Sequence, residues 1–288
     1  MYFITVAITV GIFIILALSL NLITGTAGQV SLGHAAFLGV GAYTAALIVT
    51  KLGLSFWWGL PAATLMAGAV GAFVGLTSIR VREDFLAITT MGVNFVVVAI
   101  FLYFPFFGGA LGIGRIPSPA IFGWELSKPL FLILVYLLVF LTILLNRYLM
   151  NSWLGLAWEG IREDEVACQA IGIDVRRFKV IAFTIGCALA GMAGSLYAHF
   201  IGSITAQDFG FPLSITILAM VVFGGLGTIR GAIAGAIILG LAPEILRPLR
   251  EYRMLMYGGL LLLMMRFQPG GLLGREGLLA RKFLGKTF

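Results

Sequence analysis

Apolar residues run along this chain in blocks. The blocks fall near 3–24, 33–50, 57–79, 85–105, 129–149, 178–200, 212–229, 231–246 and 254–267, with Gly, Pro and charged residues gathered between them. A helix rises about 1.5 Å per residue, so about 20 mostly apolar residues cross the hydrocarbon core of a bilayer. A membrane barrel would instead show alternating segments of about ten residues, and no such alternation occurs. The pattern predicts an all-α integral membrane protein with about eight or nine hydrophobic segments, forming a single transmembrane domain over 1–288.

Some blocks do not read as plain spans. Thr24 to Gly41 holds Gly25, Gly28, Gly33, Gly39 and Gly41 among the polar residues Gln29, Ser31 and His34, and Phe223 to Gly240 is equally rich in glycine. Irregular backbone at membrane depth persists only where it is buried in protein or lines a cavity, because lipid offers no hydrogen-bond partner. Broken or re-entrant helices are expected there. The block 254–267 is short for a span.

Composition agrees: 60% of residues are hydrophobic, 11% are charged, and the mean hydropathy is +1.07. A water-facing surface on a domain this size needs roughly a quarter charged residues. The net charge of +7 follows the bias of Lys and Arg towards cytoplasmic loops, so no nucleic-acid partner is expected. With 80–84, 147–179, Arg230 and the C-terminal segment inside, 13 of the 19 Lys and Arg face the cytoplasm. This places the N-terminus outside and makes 106–128 the main external loop. Arg247, Arg250 and Arg253 run against that count.

One loop is charged. Asn151 to Lys179 carries nine charged residues, with apolar residues recurring among them. Leu154, Ala157, Trp158, Ile161 and Glu165 follow three- and four-residue steps, as do Val166, Ala170 and Ile173. The spacing predicts an amphipathic helix, resting on lipid headgroups or in the groove of a partner protein. Gly172 followed by Asp174 reads as its stop.

Catalytic chemistry is hard to place. No Gly-x-x-x-x-Gly-Lys-Ser/Thr loop occurs, so no nucleotide site of that type is expected in this chain. His34 and His199 have no Cys, Asp or Glu at ligand spacing, so neither a metal centre nor a bound cofactor is predicted. Gln29, Ser31 and His34 are candidates for a translocation pathway, with a satisfied buried histidine as the alternative for His34. Gly191 and Gly194, like Gly231 and Gly235, read as close helix packing. Cys168 and Cys187 are expected to stay reduced.

The run REDEVACQAIG from Arg162 to Gly172 resembles the cytoplasmic coupling loop of ATP-binding-cassette (ABC) importer permeases, with Glu165 and Gly172 at its hallmark positions. The spacing from Glu to Gly is one residue longer than in the best-known importers. Those departures are similar to the branched-chain amino-acid permeases of the LivM type. Four further segments resemble that family: Ala27 to Ala46, Phe178 to His199, Val221 to Gly231 and Phe267 to Gly274. The resemblance implies a multi-pass permease in a bacterial or archaeal cytoplasmic (inner) membrane. Its expected partners are a second related permease chain, two ATP-binding-cassette subunits that use the ATP, and an extracytoplasmic solute-binding protein. The loop would act as a cytoplasmic coupling helix, its apolar stripe filling the ATPase cleft and Glu159, Arg162, Glu163, Glu165 and Gly172 making the docking contacts. Branched-chain amino acids lead as substrate; urea or short amides, or an ATP-independent transporter or channel, are the alternatives. Met91 to Ile100 is more apolar than that family leads one to expect.

Overall fold

The computed structural model describes residues 1–78, 83–121, 124–245, 256, 258, 259, 262–264, 266 and 270–274. Among these, seven helices are long and apolar enough to cross a membrane. They are α1 (Tyr2–Leu20), continued by a π-helical turn over Asn21–Thr26, α2 (His34–Lys51), α3 (Phe56–Ser78), α4 (Glu83–Tyr103), α5 (Lys128–Met150), α8 (Val175–Ile201), and α9 (Phe211–Gly224) with the preceding 3-10 turn Ala206–Phe209. The charged loop holds two short helices, α6 (Trp153–Glu163) and α7 (Glu165–Ala170). A further apolar helix, α10 (Ile229–Ile245), has 17 residues. Each expected block up to residue 245 is therefore largely helical. Half of 254–267 lies outside the described residues, as do Arg80, Arg82, Arg247, Arg250 and Arg253.

Small residues set the packing. In lipid there is no hydrophobic drive between helices, so close van der Waals approach holds them together. A Cβ on Gly41 would strike the backbone of Gly191, one on Gly191 would strike Ala63 and Ala67, and one on Gly194 would strike Leu38. These contacts join α2, α3 and α8 into the tightest unit of the bundle. Gly224, Gly231 and Gly235 do the same between α9 and α10. Around α1 the interior is aliphatic, with Ile8, Ile15, Leu16, Leu18 and Leu20 fully buried. Outward positions of α3, α4 and α5, such as Leu65, Phe73, Ile88, Phe95, Ile133 and Phe140, remain exposed, as lipid-facing surface requires.

The two ends of the bundle differ. At one end, Lys51 Nζ donates to the Phe106 carbonyl (2.6 Å), Trp57 Nε1 donates to the Ala120 carbonyl (3.0 Å), and Ile113 pairs with Ile204. A two-residue hairpin, β1 (Ala120–Ile121) with β2 (Trp124–Glu125), belongs to the same loop. The other end carries α6, α7, the π turn and the connection between α9 and α10. Arg162 and Lys179 gather there, and the N-terminal end of α1 lies at the opposite side, beside Ser118 and Lys128. The described tail residues Leu272 and Leu273 also reach the loop end, donating to the Phe223 and Gly224 carbonyls (2.9 and 2.8 Å).

Helix breaks occur where glycine density predicts them, and in one place it does not. Residues 27–33 connect the π turn to α2. Gly33 packs against the Thr90 carbonyl, about two turns inside α4, so this connection lies within the bundle. Residues 225–228 join α9 to α10, with Gly225 and Gly227 at positive φ. The third break is at Gly210. Because of it, α9 is only 14 residues long, about 21 Å, and the turn before it descends until Phe209 packs on Gly39 and Tyr43 of α2.

Candidate functional site

The amphipathic spacing of the charged loop is real, but its apolar stripe faces inwards. Ala157, Trp158 and Ile161 are buried against Leu22, Ala27, Leu149, Phe178 and Ala182 of the chain's own helices. Trp158 is fully buried, and its Nε1 donates to the Phe178 carbonyl at 2.9 Å. The expectation that this stripe fills a partner's cleft is therefore corrected for α6. A chain whose loop end is lined by Leu22, Leu149 and Phe178 must cover that apolar surface itself, and α6 is the cover.

The predicted single helix is two. Asp164 sits in extended conformation, and its Oδ1 accepts from the N–H groups of Val166 (2.9 Å) and Ala167 (3.0 Å). That is an N-cap, which satisfies donors that a helix start leaves orphaned. Helix α7 ends as expected at Gly172, which has φ 89°. Ile173 N–H donates to the Cys168 carbonyl and Gly172 N–H to the Gln169 carbonyl, both at 3.0 Å, the paired bonds of a Schellman stop. Nothing lies within 4 Å of where a Gly172 Cβ would be, so the glycine is required by backbone conformation and not by space. Gly172→Ala is expected to cost about 1 kcal/mol, read as earlier thermal unfolding of the purified chain, while Gly172→Asn costs less.

The outer surface of this unit belongs to α7. Val166 and Ile171 are 75% and 77% exposed, beside the exposed Glu163, Ala167 and Gln169. Behind them, Glu165 Oε2 pairs with Lys179 Nζ at 2.6 Å, tying α7 to α8. A cleft of about 550 Å³ opens between α6 and the start of α8, lined by Trp153, Leu156, Gly172, Arg177 and Phe178.

Arg162 is exposed, yet its guanidinium reaches into the bundle. Its Nη1 donates to the Gly25 carbonyl at 2.5 Å, and its stem lies along Gly28. Gly227 is packed against the same nitrogen. Asn21 completes the junction: its Oδ1 accepts from Gly227 N–H (2.8 Å) and its Nδ2 donates to the Thr228 carbonyl (3.4 Å). Thr228 Oγ1 in turn reaches the Leu273 carbonyl at 3.2 Å. Segments singled out near residues 27, 162, 227 and 272 thus meet at one place.

Gln29, Ser31 and His34 all lie buried near that junction. Gln29 Nε2 donates to the Lys179 carbonyl (3.2 Å), linking the break after α1 to the base of α8. Ser19 Oγ lies 2.7 Å from both the Leu16 carbonyl and His34 Nε2. His34 Nδ1 and Ser31 Oγ find no hydrogen-bond partner. Two further polar residues border this seam: Thr90 Oγ1 accepts from Leu32 N–H (3.0 Å), and Asn94 Nδ2 donates to the Phe209 carbonyl (3.0 Å). Both come from the α4 block that reads as plainly apolar. Their burial facing a helix break, and not their spacing, is what marks them. Of the predicted coupling residues, Glu165 and Gly172 shape α7, Glu163 and Arg162 are exposed, Glu159 is half-buried on α6, and Arg162 also bonds the Gly25 carbonyl through its Nη1. Among the described residues no group of His, Cys, Asp and Glu could hold a metal ion.

The family described as branched-chain amino acid transport system, permease component, matches residues 2–265. A high-affinity branched-chain amino acid transport system permease protein LivM from Escherichia coli (strain K12) is 42% identical over 287 residues, covering 91% of this chain and 68% of that protein. The LivM protein of Salmonella typhimurium is 40% identical with the same coverage. A probable LivM permease from Methanocaldococcus jannaschii is 25% identical over 319 residues, covering 91% of this chain and 90% of its own length. No solved structure matches.

Proposed function

Because the chain belongs to the family of branched-chain amino acid transport permeases, we propose that it is a permease subunit of an ATP-driven importer of branched-chain amino acids. The observation that carries this reading is the match over 91% of the chain to permeases named for that substrate class. Seven apolar helices agree with a multi-pass protein of the cytoplasmic membrane. LivH, a permease of the same transport system in Escherichia coli (strain K12), is 25% identical over 91% of this chain, which supports a related second permease as the partner across the translocation path.

In this reading two ATP-binding-cassette subunits, one on each permease, supply the energy, and a solute-binding protein delivers substrate to the end that carries the loop between α4 and α5. The surface offered to the ATPase is α7: Val166 and Ile171 supply apolar contact, and Glu163 adds a charge at its edge. Helix α6 carries α7 and, by its buried stripe, fastens it to the transmembrane helices. The buried seam of Gln29, Ser31, His34, Thr90 and Asn94 is the polar segment of the path, closed in the state described and opened when the helices rearrange.

The test is uptake of radiolabelled leucine by proteoliposomes holding both permeases, both ATPase subunits and the binding protein. Uptake is expected only with hydrolysable ATP. Glu165→Lys sets a second cation against Lys179 and lifts α7 from its seat. It should lower uptake at least tenfold while the chain still inserts. Leucine uptake that ignores ATP, or a Glu165→Lys complex as active as the wild type, would overturn the proposal.

A further inference from the structure

We infer that Arg162 is the pin through which movement of the α6–α7 unit reaches the transmembrane helices, a positioning residue and not a contact with the ATPase. The inference rests on the transport reading above and adds the route by which force passes through this chain. Apolar packing holds α6 against the bundle, but packing of aliphatic and aromatic groups resists separation better than sliding. A directional bond from the last turn of α6 into the bundle supplies what packing lacks. Arg162 Nη1 makes that bond, to the Gly25 carbonyl in the π-helical turn that ends the first span.

Three features make the site specific for a guanidinium. The carbonyls of a terminal helical turn lack intrahelical donors and carry the negative end of the helix dipole, so a cation is favoured there. Glycines clear the way: a Cβ on Gly28 would sit 3.2 Å from Arg162 Cγ, and one on Gly227 would sit 2.7 Å from Nη1. Finally, the receiving elements are joined to each other, since Asn21 holds Gly227 and Thr228 from the π turn itself. One side chain therefore engages α6, the first span and the α9–α10 connection together. π turns are concentrated at functional sites, where the helix register is least settled.

The experiment uses the reconstituted five-component complex and reads two quantities, leucine taken up per ATP hydrolysed and retention of the ATPase subunits on purification. Arg162→Ala is expected to keep both ATPase subunits bound and basal hydrolysis within about twofold. Leucine moved per ATP should fall at least tenfold. A residue that merely stabilised the fold would lower the yield of complex without changing that ratio. If Arg162→Ala does not assemble, Arg162→Gln carries the test, because it keeps part of the stem along Gly28 but is too short to reach the Gly25 carbonyl. A ratio lowered at least threefold supports the pin. An unchanged ratio in an assembled variant overturns it, as does loss of the ATPase subunits, which would make Arg162 a docking contact. A wild-type complex without ATP-driven uptake overturns the transport reading itself, and the pin with it.

Discussion

Gly191→Leu is expected to abolish the folded protein. Gly191 lies where α2, α3 and α8 converge. A Cβ there would already overlap Ala67, would sit 2.6 Å from the Ala63 carbonyl oxygen, and Gly41 approaches the same backbone from α2. Backbone cannot rotate aside as a side chain does, so the helices must separate. Separation gives up the close packing that holds helices together in lipid. The cost exceeds about 4 kcal/mol, beyond the usual range for overpacking because three helices are displaced at once. Purified in detergent, the variant should give no monodisperse peak on size exclusion. Gly92→Leu on α4 is the control. Nothing lies within 4 Å of its Cβ position, and leucine favours helix over glycine by up to about 1 kcal/mol, so its thermal unfolding should be unchanged or slightly later.

The second large effect is expected at Trp158→Ala. Among the described residues Trp158 is the largest fully buried side chain, and it joins α6 to α8 by packing and by its bond to the Phe178 carbonyl. Truncation leaves a cavity and an orphaned carbonyl, at a cost of about 3–5 kcal/mol. The loss falls mainly on α6, because the spans also hold one another through Gly41, Gly191 and Gly194. Hydrogen exchange over 151–172 should therefore become fast while α2, α3 and α8 stay protected, and ATP-driven uptake should fall with it. Trp153 is 70% exposed, so Trp153→Ala should leave exchange over the same residues nearly unchanged. Equal protection in the two variants would contradict the role given to Trp158.

Most of the fold can be read from the chain because bilayer thickness converts directly into apolar run length. The blocks from 3 to 245 reappear as helices, and the charge count places Arg162, Lys179 and Arg230 at one end, as observed. The break at Gly210 falls between the apolar blocks 178–200 and 212–229, so the start of α9 is legible, but the seating of Phe209 against Gly39 is not. The charged loop shows where sequence reading stops. Its period was legible and so was the stop at Gly172. Which way the stripe faces was not, because an apolar face is equally suited to a partner's cleft or to the chain's own Leu22, Leu149 and Phe178. The fate of Arg162 was hidden for a related reason. Its acceptor is a backbone carbonyl, 137 residues away, exposed by a π turn that no residue pattern announces.

The strands of chain that meet around Asn21 also fix an order of events in synthesis. Asn21 and Gly25 leave the ribosome early, Arg162 midway, Gly227 later, and Leu273, which closes on Thr228, 252 residues after the first of them. Contacts so distant in sequence form late. While translation continues, the end of the first span waits in the membrane with the Gly25 carbonyl unclaimed and the buried carboxamide of Asn21 unmatched. Such an intermediate leaves polar groups without partners in lipid, which costs free energy until the later segments arrive. The junction that links helices in the finished protein therefore cannot close until nearly the whole chain has been made.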